Sequence, residues 1–311
     1  MSRLLTRPAR GASLVELLVG MIIALMVLGI ALQLMLIARV RYQRLADEAL
    51  IQDRGKRALE LIGSAVRQAG WTTDTPVASS VRRWPGVGAP LSLAGADDCN
   101  PKRGVDLDCN SGHGEQRSDA LMVRFSGRNQ LPPNAREPDG ATRDCDDYGV
   151  RERVGGNEDP RLGSILLFIS VSNDAERAPR LMCRSFLRNN GDALAAGFAS
   201  EVVRGIETLQ LLYTLAPTAT SHAKTVSARA MHPADWYRVQ QVHVAIVAQG
   251  NHYTLRAPMA DKIALFPELD PAPDAQPEDL EFRPKDPHRN RTRFTETFAV
   301  RNPLRCEVDA C

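Results

Sequence analysis

The chain has 311 residues, with 39 lysine and arginine side chains against 37 aspartate and glutamate, so its formal net charge is only +2. A charge this close to balance argues against a protein that binds nucleic acid through a strongly basic surface. The length allows one large or two small domains with a sizeable hydrophobic core.

The N-terminal segment joins a short basic leader to a long apolar run. Three arginines precede Gly11, and the run from Leu14 to Ala38 is interrupted by only two polar residues, Glu16 and Gln33. This run is long enough to span a bilayer, and the leader arginines predict a cytoplasmic N-terminus. In an ordinary secretory signal the apolar segment precedes the cut and is removed with it. A cut after Gly11 would instead leave the apolar segment on the mature protein.

A helical pattern continues beyond the apolar run. Apolar residues recur at steps of three and four, which forms an amphipathic stripe: Leu45, Ala49, Ala58, Ile62, Ala65 and Ala69. Gly70 is a suitable helix stop. The pattern predicts one helix from Ser13 to Ala69, roughly 85 Å long. Gly29 and Gly55 are positions at which this helix could bend.

The periodicity changes after Gly70. Residues 71–118 are rich in glycine, proline, serine and aspartate, which predicts long loops. Runs typical of strands follow at 120–126, 164–172, 181–187, 202–215, 239–248 and 294–301. Apolar and polar residues alternate at the start of the 239–248 run, which predicts a sheet with one face on the long helix. The charged, proline-rich stretch Pro258 to Thr292 predicts an exposed, partly mobile excursion.

The chain has six cysteines, Cys99, Cys109, Cys145, Cys183, Cys306 and Cys311. An even number of cysteines downstream of a membrane anchor favours disulfides in an oxidising periplasm. The sequence contains no CxxC pair, so it does not indicate a zinc site. Short separations favour Cys99–Cys109 and Cys306–Cys311, which would leave Cys145 to pair with Cys183. Sequence alone leaves other pairings open.

One segment has the oxygen spacing of a calcium loop. Asp106, Asp108 and Asn110 alternate along the chain, but Ser111 stands where an EF-hand has glycine, and Arg117 where it has glutamate. A solvated turn beside a disulfide is the preferred interpretation, so no metal and no cofactor is expected. The sequence also lacks a G-x-S-x-G elbow, a P-loop and a dinucleotide fingerprint, so nothing in it predicts catalysis.

The N-terminal junction resembles the class III signal of type IV prepilins and pseudopilins. In that family a membrane peptidase cuts after the glycine and methylates the new N-terminus. The resemblance implies cleavage between Gly11 and Ala12 and N-methylation of Ala12. It also makes Glu16, the fifth mature residue, a determinant of assembly and methylation. Many members begin with phenylalanine, and Ala12 departs from that form.

Further segments resemble the PilW family of type IV pilus assembly proteins: RQAGW at 67–71, SDALMVRF at 118–125, VRGIETLQLLY at 203–213, the 236–247 run and FTETFAVRN at 294–302. The resemblance implies an α+β, type IV pilin-like lollipop: a long N-terminal helix packed on an antiparallel β-sheet head with disulfide-tied loops. The expected parts are a cleaved leader (1–11), transmembrane and amphipathic helix halves (12–38 and 39–70) and a periplasmic head (71–311).

The resemblance further implies a minor pilin that is not an enzyme and acts in the priming and tip complex. Its expected partners are other minor pilins, a tip adhesin, the major pilin, the prepilin peptidase and inner-membrane lipid. The expected location is the inner membrane and then the pilus tip.

Three other functions fit the sequence less well. A J-type minor pseudopilin of type II secretion shares the anchor and sheet plan, but the long insertions and the terminal strand favour PilW. A membrane-anchored enzyme would need a catalytic set that the sequence lacks. A DNA-uptake pilin is disfavoured because no basic stripe marks the head.

Overall fold

The computed structural model describes residues 13–71, 91–104, 106–152, 163–189, 192–219, 221–253, 261–270, 272 and 274–302. Gly11, Ala12, Cys306 and Cys311 therefore lie outside the described residues. The chain divides into two compact units, Met1–Ala49 and Leu50–Cys311.

The predicted long helix is present. Helix α1 spans Leu14–Gln68 without a break. In the first unit the side chains of residues 13–46 are exposed, whereas in the second unit Ala58, Ile62 and Val66 are fully buried. The helix ends at Gly70, whose φ of +68° is left-handed and whose N–H donates to the carbonyl of Arg124 at 2.9 Å. Glycine suits this position because it adopts a positive φ without steric cost.

Two antiparallel sheets form the second unit. The first sheet has the order β1-β2-β3-β4-β5, with β1 at Leu93–Ala96, β2 at Ala120–Phe125, β3 at Gly163–Val171, β4 at Pro179–Asn189 and β5 at Asp192–Arg204. The second sheet has the order β11-β8-β6-β7, with β6 at Ile206–Leu215, β7 at Lys224–Val226, β8 at Val239–Tyr253 and β11 at Arg289–Ala299. A short ribbon pairs β9 at Ile263–Ala264 with β10 at Glu281–Phe282, which follows helix α2 at Pro277–Leu280.

The prediction of one strand over 202–215 was wrong, because the chain changes sheets at Gly205. Its φ of +85° ends β5 and starts β6. A Cβ atom at this position would lie 2.7 Å from Nη1 of Arg54. Arg54 occupies that space because its guanidinium donates to the carbonyl of Gln249 at 2.6 Å and to Oδ1 of Asn251 at 2.9 Å.

Two glycines bring α1 against the second sheet. A Cβ at Gly55 would lie 2.4 Å from the ring of Phe294, and one at Gly63 would lie 2.4 Å from the ring of Phe298. The two glycines are eight residues apart on a helix, about 12 Å, and the two phenylalanines are four residues apart on a strand, about 13 Å. The spacings match, so each ring fits over a glycine. Gly55 is thus a contact point within an unbroken helix, and not the bend that the sequence suggested.

The excursion predicted to be exposed is in fact folded against the sheet. Within the described part of residues 258–292, Leu265, Phe266 and Phe282 are buried, with 0%, 7% and 3% of their surface exposed. They pack on Leu212 and Val247, on the face of the second sheet that points away from the main core. Both faces of this sheet are therefore covered. Strand β1 likewise lies inside the stretch of residues 71–118 that was predicted to be loop.

Replacing Gly63 by leucine should lower the free energy of unfolding by about 1–3 kcal/mol, because the new side chain would overlap the ring of Phe298. Gly29→Leu is the matched control, since no atom lies within 4 Å of a Cβ at Gly29. Denaturant unfolding of the detergent-solubilised chain measures both variants. Adding Phe298→Ala to the Gly63 variant should restore part of the loss. Equal midpoints for the two leucine variants would contradict this contact.

Candidate assembly interface

Glu16 is a single carboxylate on an exposed apolar helix surface. It lies in the first turn of α1, where Ser13 accepts hydrogen bonds from the backbone N–H groups of Glu16 and Leu17 at 3.0 and 3.1 Å. The flanking side chains Leu14, Val15 and Leu17 are 75%, 65% and 65% exposed. A negative charge is favourable at a helix N-terminus because the helix dipole is positive there.

The exposed apolar surface continues along the helix to Ala38, and beyond it Val40, Tyr42 and Leu45 stand among exposed arginines. Among the described residues, α1 is the one helix that is long and apolar enough to cross a membrane, judged by length and composition. A continuous apolar surface of this size needs lipid or other helices to cover it. The first unit is therefore a candidate membrane span that carries one carboxylate in its first turn.

Two disulfides stabilise loops of the second unit. Cys99 pairs with Cys109 and Cys145 with Cys183, at Cα separations of 5.4 and 5.7 Å. The second disulfide fixes the segment around Cys145 to β4, which contains Cys183. Next to it, Asp146 accepts a hydrogen bond from the Ser200 hydroxyl at 2.8 Å. The predicted Cys306–Cys311 pair lies outside the described residues.

The three oxygen-bearing residues of the calcium candidate point to partners within the protein. Asp106 forms an ion pair with Arg124, and Asp108 pairs with Lys102 at 2.9 Å. The side-chain amide of Asn110 donates to the carbonyl of Asn100 at 3.0 Å. In the described part of the chain, no group of three His, Cys, Asp or Glu side chains is arranged to hold a metal ion.

Buried polar residues that the sequence analysis missed join the two sheets. Asp119, which is 1% exposed, accepts the backbone N–H of Leu211 in β6 at 2.8 Å and that of Asp98 at 3.1 Å. Burial raises the pKa of Asp119 well above its usual value, and the charge of Asp97 adds to the rise. The only sequence signal was an aspartate directly before a strand, which is also a common turn feature.

A second missed feature is an ion pair inside the second unit. Arg291 donates its Nε to Glu207 at 2.8 Å, and the two side chains are 0% and 4% exposed. Burial raises the pKa of Glu207, while the Arg291 guanidinium opposes the rise. The pair links β11 to β6 across a long stretch of sequence, so no local pattern could have revealed it.

His243 has a structural role on β8. Its Nε2 lies 2.7 Å from the hydroxyl oxygen of Thr214 and its Nδ1 lies 2.8 Å from that of Thr297. A neutral ring supplies one donor and one acceptor, and the two hydroxyls can satisfy both. Burial lowers the pKa of His243 below 6.5.

The fold is α+β: a long helix with an apolar first half is followed by antiparallel, disulfide-linked sheets. A family model described as Type IV Pilus-assembly protein W matches residues 168–302, from β3 to the end of the described chain. This match confirms the resemblance to the PilW family that the sequence predicted.

One solved structure, a type IV-like pilin from Thermus thermophilus, is similar with a TM-score of 0.41 and 13% identity, over 82% of this chain and 98% of that one. A comparison with curated proteins finds no match.

Lowering the pH should destabilise the wild type more than a His243→Gln variant. Because burial lowers its pKa, the folded His243 binds a proton less readily than the unfolded one, so stability is lost as the pH falls below about 6.5. Urea unfolding at about pH 7.5 and about pH 5.5 checks this. Glutamine keeps a donor and an acceptor but does not titrate. If the free energies of unfolding of the two proteins differ by the same amount at both pH values, His243 is not the group whose protonation destabilises the fold.

Proposed function

We propose that this chain is a minor pilin of a type IV pilus and acts in the priming and tip complex that initiates assembly and supports twitching motility and adhesion. The observation that carries the proposal is the combination of a head that matches the PilW family with an apolar helix bearing one carboxylate. The Gly11–Ala12 junction in the sequence supports it. The first unit anchors the protein, and the second unit contacts other subunits.

Glu16 is the assembly residue of this proposal. A carboxylate within an apolar membrane helix costs about 2.5–3.5 kcal/mol on insertion scales, so a partner is needed to offset the cost. After cleavage the partner is the free, N-methylated amine of Ala12 in a neighbouring subunit. Attraction between these charges is strong in a medium of low dielectric, and it selects the axial position at which two subunits meet.

The protein starts in the inner membrane with its N-terminus in the cytoplasm and its head in the periplasm, and it then reaches the pilus tip. Its partners are other minor pilins, the major pilin and a tip adhesin, and the prepilin peptidase processes it. A tip position suits the head because the folded excursion adds a third layer to the second sheet. Extra bulk is easier to accommodate where fewer neighbours crowd a subunit.

Processing is tested by the intact mass of the membrane-extracted protein. The mass should be that of a chain beginning at N-methylated Ala12. Gly11→Glu should leave the leader in place, because the peptidase pocket would have to admit a charged side chain. Arg10→Lys is the control and should be processed normally. A wild-type chain that begins at Met1, or beyond Leu32, would overturn the pilin assignment.

Assembly is tested with Glu16→Leu in cells. Surface pili and twitching should fall while this protein and the major pilin remain at normal levels in the membrane, because the neighbouring amine loses its partner. Glu16→Asp keeps the charge and should retain more function. Normal piliation in the leucine variant would refute the role. Loss of exoprotein secretion with intact pili would favour the J-type pseudopilin of type II secretion instead.

A further inference from the structure

A cavity of about 600 Å³ opens on the head between two segments of the second unit. One wall is the loop His113–Arg117. The other is formed by α2, by β10 and by the residues that follow β10, which include Lys285. The volume falls in the range of small-ligand sites. The cavity lies far along the chain from Glu16, and the assembly role does not use it.

The loop wall holds two non-glycine residues in the left-handed region. Gln116 has φ 50° and ψ 38°, and Arg117 has φ 60°. Side chains rarely adopt this conformation because Cβ crowds the backbone. The buried Gln210, which is 1% exposed, supports the wall by donating its Nε2 to the carbonyl of Arg117 at 2.6 Å. Its Oε1 has no hydrogen-bond partner among the described residues.

This conformation of the loop has a local energetic cost. Two strained residues are held in place, and a buried amide is left half satisfied to hold them. Strain of this kind persists where it positions groups for a function. Gln116 and Arg117 line the cavity, so the strained wall presents their polar groups to whatever occupies it.

The cations that line the cavity are already paired with carboxylates. Each of three lining cations is matched to a carboxylate at 3.7 Å or less: Arg117 to Asp98, Lys285 to Glu115 and Arg283 to Glu281. Glu278 adds a further carboxylate to the lining. A charged ligand would meet repulsion as well as attraction here, and specificity against such ligands follows from like charges. A neutral ligand with many hydrogen-bonding groups meets no such penalty.

We propose that this cavity binds a neutral saccharide of one or two rings. Sugar hydroxyls both donate and accept, which matches a lining of guanidinium, amide, imidazole and carboxylate groups. The apolar atoms of the exposed Pro277 in the lining suit a C–H face of a sugar ring. The site goes beyond the assembly role proposed above and does not depend on it, because it lies within the second unit.

The test uses the full chain in a detergent without a sugar headgroup, probed by saturation-transfer NMR with glucose, galactose, N-acetylglucosamine, lactose and cellobiose. At least one of these should bind. Gln116→Gly should weaken that binding at least tenfold while the midpoint of thermal unfolding stays equal or rises, because glycine relieves the positive φ. Arg177→Gly is the matched control, since Arg177 also has a positive φ of 45° but does not line this cavity.

Three results would overturn the proposal. The first is no binding of any of the five sugars to the folded wild-type chain. The second is binding that Gln116→Gly leaves unchanged, which would locate the site elsewhere. The third is that neutral peptides bind to the chain in place of the sugars and that Gln116→Gly abolishes this peptide binding. The ligand would then be a peptide. Weakening by Arg177→Gly equal to that by Gln116→Gly would also count against the cavity.

Discussion

The seating of two phenylalanine rings on two helix glycines is the contact on which the head depends. Phe294 and Phe298 belong to an edge strand, and through β8 they connect α1 to the centre of the second sheet. Close approach of the backbone lets Ala58, Ile62 and Val66 share one core with Leu209 and Ile246. A side chain at either glycine would hold helix and sheet apart, and the burial that stabilises this core would be lost.

From that contact the rest of the second unit is built outward. The second sheet is buried on its inner face by α1 and on its outer face by the excursion, so both of its faces contribute to the stability of the fold. Asp119 and the Glu207–Arg291 pair place charged groups inside this assembly. Losing either partner of such a contact leaves a buried polar group unsatisfied, so Asp119 favours one arrangement of the two sheets and the ion pair favours one arrangement of β11 and β6.

The sequence predicted the features that have a local cause. The long helix follows from its three- and four-residue apolar steps, and the prediction of Ser13 to Ala69 is close to the observed Leu14–Gln68. The Cys99–Cys109 disulfide was favoured by its short separation, whereas Cys145–Cys183 was expected only as the remainder after a Cys306–Cys311 pair that lies outside the described residues. The break at Gly205 could not be predicted because apolar residues lie on both sides of it, and no local pattern indicates that Arg54 occupies the space beside it.

Features set by distant contacts could not be predicted. The composition of the excursion is polar and rich in proline, and its few apolar residues are not periodic, so their burial on Leu212 and Val247 left no pattern. Of the candidate site, Glu16 could be found because one carboxylate stands out in an apolar run. The cavity could not, because the loop that forms one wall is held at Arg117 by Gln210 in β6, which is distant in sequence.

The paired glycine contacts also have a mechanical meaning. Gly55 and Gly63 are eight helix residues apart, and each contacts one phenylalanine ring. For this reason α1 cannot slide along the sheet without displacing both rings at once. Arg54, fastened to the carbonyl of Gln249 and to Asn251, adds a third attachment on the same helix. A pull along the helix axis would therefore load these attachments in parallel, as shear. Parallel bonds share a force, whereas bonds that open one after another do not, so the head is built to stay on its helix under tension.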